Sequence, residues 1–157
     1  MLSALLLTIQ IGKLFWGQDY QIQQHQQLKL LTEYSQLPLQ IIIFIFAAII
    51  TSIFEEMLFR GLFQTTIRSL IEARLWLGVS QETEYKNSAI GRYGAWLAIL
   101  ISSVLFATSH ANVDHWLALF VLGVCLGYSY EKSGSLFRPI FIHSLYNGIS
   151  VILVLNQ

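Results

Sequence analysis

Residues 37–67 read LPLQIIIFIFAAIITSIFEEMLFRGLFQTTI. From Leu37 to Phe54 the run holds no charged residue, and after Arg60 it turns apolar again. An α-helix rises about 1.5 Å per residue, so about 20 mostly apolar residues span the ~30 Å hydrocarbon core of a bilayer. Lipid offers no hydrogen-bond partner to the backbone, which leaves a helix as the economical conformation. The stretch therefore reads as a membrane helix that carries Glu55, Glu56 and Arg60 within or at the end of its apolar run. Each such charge costs about 2.5–3.5 kcal/mol near the bilayer centre. Something must hold them there.

The rest of the chain agrees with the membrane reading. Of 157 residues, 55% are hydrophobic and 11% charged, and the mean hydropathy is +0.58. A soluble domain carries roughly 25% charged residues. A chain this poor in charge cannot cover a water-facing surface. The net charge of zero argues against a nucleic-acid partner. The single cysteine, Cys125, cannot form an internal disulfide.

Further apolar segments run from Ala95 to His110, Trp116 to Tyr130 and Leu136 to Leu155. The first two of these are short for a span and must extend into their flanks. MLSALLLTIQIGKLFW at the start is weaker and lacks a basic lead, so a poorly anchored membrane segment is preferred over a signal peptide. The expected fold is all-α: a polytopic transmembrane bundle of four core helices plus the weak N-terminal segment. Residues 1–36 form that segment and a Gln-rich linker, and 37–157 form the core domain. Arg68, Arg74, Lys86, Arg92, Lys132 and Arg138 fall on one side if every segment spans. The positive-inside rule then places the N-terminus in the cytoplasm of an integral, multi-pass membrane protein.

Helical spacing divides the charges. Glu56 and Arg60 are four apart, on one face and in the favourable order. Glu55 points about 100° away and has no cation one turn off. An unpaired intramembrane acid is a functional candidate. Other segments supply possible company: His110 at the end of FATSH, and His143 with Asn147, four apart, in HSLYN. Taken singly, a membrane histidine reads as a hydrogen bond to a neighbouring helix. Taken together, these residues read as one polar pocket within the bundle. Helix counting places His110 toward the opposite membrane side from Glu55, so they meet only if the break at 111–115 lies at membrane depth and lines a cavity, and that placement is expected. Asn112 and Asp114 in that break read as turn and N-cap residues, with Asp114 also able to orient His110. Gly123 and Gly127 form a GxxxG pattern for close helix approach, and Gly61 reads the same way.

An acid, two histidines and an asparagine suit attack by water on a carbonyl. The glutamate can take a proton from water, and His or Asn can donate hydrogen bonds to the oxyanion. A zinc variant, with Glu55, His110 and His143 as ligands, uses the same residue types. The helical HExxH motif is absent. A proton or ion pathway also uses intramembrane acids, but it explains the His143–Asn147 pair less well.

EEMLFRG resembles the EExxxR motif of the CAAX protease and bacteriocin-processing (CPBP, or Abi) family. FATSH resembles its FxxxH motif and HSLYN its HxxxN motif, over roughly residues 40–155. The resemblance implies an intramembrane endopeptidase similar to the type II CAAX prenyl endopeptidase. Its substrate would be a prenylated protein or small peptide in the bilayer. Glu55 would act with His110 as the base that activates water, and His143 and Asn147 would stabilise the oxyanion. Glu56 and Arg60 would hold the site in shape. The family is described both with a divalent metal such as zinc and with a metal-free glutamate mechanism. A non-catalytic relative, a bacteriocin-immunity factor or scaffold, is the alternative.

Overall fold

The computed structural model describes residues 36–75 and 89–155. The N-terminal segment, most of the Gln-rich linker and residues 76–88 lie outside this set. Among the described residues the structure is helical, without strands. The longest helix, α1, spans Leu37–Arg74. Pro38 sits in its first turn, where a missing N–H costs nothing. At 38 residues it is about 57 Å long, well beyond the ~30 Å core of a bilayer. Glu55 and Glu56 thus lie near the middle of one continuous helix. Helix α2 covers Ala89–Thr108, α3 covers Trp116–Ser133 and α4 covers Phe137–Leu155. Both α2 and α3 extend into their polar flanks, as their short apolar segments require. The α1 helix, Gly91–Thr108 within α2, and Val113–Ser133 are each long and apolar enough to cross a membrane. The α4 helix has similar length and brings the polar residues of the site.

Polarity is arranged inside out. Ser52, Glu56, Arg60, Gln64, Ser102, Ser103 and His143 are buried, whereas Phe54, Leu62, Phe141, Leu145 and Ile149 are exposed. In water this arrangement would waste the hydrophobic effect; in lipid it satisfies it. Two stretches of α1, Phe46–Ile50 and Met57–Gln64, are π-helical. Each is followed by a threonine whose hydroxyl donates to the carbonyl five residues back. Thr51 bonds Phe46 O at 3.0 Å, and Thr65 bonds Arg60 O at 2.9 Å. Such turns are rare and recur at functional sites.

The GxxxG expectation holds. A Cβ on Gly123 would stand 3.0 Å from Ser103 Cβ and 3.1 Å from its Cα. A Cβ on Gly127 would stand 2.8 Å from Gln64 Oε1 and 3.2 Å from Ile99. The bare glycines also expose their carbonyls to α1. Arg60 Nη2 donates to Gly123 O at 3.0 Å, and Gln64 Nε2 donates to Gly127 O at 3.1 Å. Gly61 does not share this role, since its nearest neighbour would be an ordinary 3.5 Å contact with Leu136. Gly123→Ala should therefore lower thermal stability in detergent by about 1–3 kcal/mol, as overpacking does. Gly61→Ala should be neutral or raise stability by about 0.5–1 kcal/mol.

The connection between α2 and α3 is a 3₁₀ turn, Val113–His115. Capping differs from expectation. Asn112 precedes that turn and His115 precedes α3, and neither makes a side-chain capping bond. The turn is fixed instead by Trp116, whose indole N–H donates to His110 O at 2.9 Å. Gly134 ends α3 at φ 62°, the left-handed conformation that glycine adopts without strain, and its N–H bonds Tyr130 O.

Candidate active site

Four residues of α1 recur at a spacing of four: Ser52, Glu56, Arg60 and Gln64. All are buried to 1% exposure or less and form one polar stripe facing the bundle. Glu56 is its hub. Its Oε1 accepts from Arg60 Nη1 at 3.1 Å and from His143 Nδ1 at 2.8 Å. The Arg60 guanidinium also lies 4.8 Å from the centre of the Phe106 ring. The expected Glu56–Arg60 pair is present, and the structure adds that Glu56 holds a histidine of another helix.

The Glu55 side chain is 25% exposed, against 0% for Glu56. Adjacency on the helix turns it off the stripe, toward the other edge of the same imidazole. His143 Nε2 stands 3.6 Å from Glu55 Oε2. A carboxylate only accepts, so the 2.8 Å contact places a hydrogen on His143 Nδ1 and directs Nε2 at Glu55. One imidazole thus bridges two consecutive glutamates.

His110 ends its segment beside this pair. Its Nδ1 lies 2.9 Å from Phe106 O, an acceptor, so the hydrogen sits on Nδ1 and Nε2 carries the lone pair in the neutral ring. The Phe106 ring packs edge-on against both imidazoles, with centroids 5.1 Å from His110 and 5.6 Å from His143. Both histidines therefore pack against a single phenyl ring. The α2–α3 break follows directly on His110, and the expected approach of His110 to the His143 pocket occurs through Phe106.

Asn147 is placed differently. Its Nδ2 donates to Ala47 O at 3.3 Å and to Ser52 Oγ at 3.1 Å. Its amide hydrogens are directed at α1. Ser52 and Gln64 escaped the sequence reading, although both stand at the four-residue spacing set by Glu56 and Arg60.

Glu55 and His143 Nε2 could serve as two donors to a metal ion. A catalytic zinc needs a third protein ligand. Among the described residues no group of three or more His, Cys, Asp or Glu side chains is placed to hold one. His143 Nδ1 is committed to Glu56, and Glu56 to Arg60. As arranged, the donor set does not fit a three-ligand centre built from Glu55, His110 and His143.

Residues 37–149 match the family model described as type II CAAX prenyl endopeptidase Rce1-like. The match includes all three motifs. No curated protein and no solved structure matches the chain.

Proposed function

The chain belongs to the family of type II CAAX prenyl endopeptidase Rce1-like proteins, and from that premise we propose that it cleaves a peptide bond with water activated by Glu55 and His110. The family is one of intramembrane endopeptidases, and the long apolar helices agree with an integral membrane protein. The observation that carries the proposal is the bridged imidazole, with His143 Nε2 3.6 Å from Glu55 and Nδ1 held by Glu56.

Each group has a defined part. Glu55, partly exposed within the pocket, accepts one hydrogen of the water, and His110 Nε2 accepts the other. Hydroxide attacks the carbonyl carbon as the proton passes to Glu55. His143 turns Nε2 to the developing oxyanion, and a hydrogen on that nitrogen is donated to it, a role in which one fixed donor is worth about 10²–10³ in rate. When the C–N bond breaks, the proton on Glu55 passes to the leaving amine. Glu56 and Arg60 keep the His143 ring in place.

The proposed substrate is a prenylated CAAX peptide presented from the bilayer, cut on the C-terminal side of the modified cysteine. Steady-state cleavage of a farnesylated CAAX peptide in lipid vesicles tests the assignment. His110→Gln and His143→Gln should each lower kcat by about 10²–10³. A variant of either histidine that retains the wild-type rate would remove that residue from the mechanism. Equal cleavage of the unprenylated peptide would point to a small-peptide substrate.

A further inference from the structure

The indole N–H of Trp116 can only donate and His110 O can only accept, so the 2.9 Å contact between them has one direction. It ties the first residue of α3 to the residue that closes the FATSH motif, across the α2–α3 break. Trp116 also packs against the core cluster that contains Phe106. The indole is thus held by the same core as the ring that both histidines touch.

The break changes what His110 can bond. In an unbroken α-helix the His110 N–H would take Phe106 O. Here α2 ends at Thr108, and that N–H bonds Ala107 O at 3.3 Å instead. Phe106 O then accepts from the His110 side chain, through Nδ1 at 2.9 Å, and from Ser109 Oγ at 2.8 Å. A carbonyl oxygen has two lone pairs, and these contacts use both. The tautomer of His110 therefore depends on the chain leaving the helix at this point. Trp116 is the side chain that closes the turn from its far end.

We propose that Trp116 is a positioning residue of the hydrolytic site. Its N–H holds His110 O in the turn, which keeps Phe106 O on Nδ1 and presents Nε2 as the acceptor for a hydrogen of the water. A neutral histidine with its hydrogen on Nε2 would donate there and could not act as that acceptor. The kinetic consequence rests on the hydrolytic reading; the tautomer does not.

The test combines ¹⁵N NMR of the His110 imidazole in the substrate-free protein with kinetics of farnesylated CAAX peptide cleavage. Trp116→Phe keeps an aromatic ring against the core and removes the donor. It should turn the His110 spectrum from a single Nδ1–H tautomer to a mixture, while the His143 resonances move less. Misplacing the acceptor should lower kcat about tenfold or more with KM little changed. The Trp116→Phe/His110→Gln double variant should be no slower than His110→Gln, because residues that act as a unit are not additive. If Trp116→Phe does not survive purification, Trp116→benzothienylalanine replaces the N–H by sulfur at nearly the same shape and carries the same expectations. Wild-type kcat in the tryptophan variant beside a crippled His110→Gln, or losses that multiply in the double variant, would overturn the proposal. So would an unchanged His110 tautomer. The NMR measurement decides the positioning even if no hydrolysis is detected.

Discussion

Glu55→Gln should lower kcat for peptide cleavage by about 10²–10⁴-fold, the span that a general base contributes. The protein itself should remain folded. The amide is nearly isosteric, and the Glu55 side chain is one-quarter exposed, with its nearest ionic partner 3.6 Å away. A substitution of that kind costs little stability, within about 0.5 kcal/mol at exposed positions. KM should change less than kcat, because the lost proton acceptor acts in the transition state. Steady-state rates and melting curves on the same preparations check both halves. A Glu55→Gln protein that melts normally and cleaves at the wild-type rate would exclude Glu55 as the base.

Arg60→Met should have the opposite profile, with stability falling first. Arg60 and Glu56 are both fully buried, and Arg60 links Glu56, Gly123 O and the face of Phe106. Removing one member of a buried ion pair strands the other and typically costs about 3–5 kcal/mol. Here the stranded group is Glu56, whose Oε2 already lacks a protein partner among the described residues. Adding Glu56→Gln should restore a substantial part of that loss. The amide is uncharged and can still accept the His143 Nδ1 hydrogen. Thermal melts in detergent should therefore rank the double variant above Arg60→Met. Equal melting temperatures would mean that the buried charge of Glu56 does not drive the loss. Buried pairs are weak evidence for stability as such. This one is better understood through what it fixes, the ring of His143 and the line of α1 on α3.

The fold was legible because lipid imposes one rule on every segment. Long apolar runs can only be helices, and the four core helices appear where those runs stand. The candidate site was legible for the same reason, since Glu55, His110 and His143 are costly in lipid unless they meet. The family motifs add a specific order to those residues. Less legible were the groups whose cost is small. Ser52 and Gln64 are uncharged and short of notice in an apolar run, yet they continue the four-residue stripe of Glu56 and Arg60. That spacing was the available signal. Nothing local marked the π-helical turns, which depend on Thr51 and Thr65 returning to carbonyls five residues back. Helix counting alone set His110 apart from Glu55, and only the demand that costly polar groups share one pocket placed the 111–115 break beside it.

The proposed function is hydrolysis of a peptide bond within this helical bundle. Mass spectrometry of a farnesylated CAAX peptide incubated with the purified chain in lipid vesicles tests it most directly. The expected result is a time-dependent C-terminal fragment released from the prenylated cysteine. An intact peptide, beside protein that melts cooperatively in the same vesicles, would contradict it.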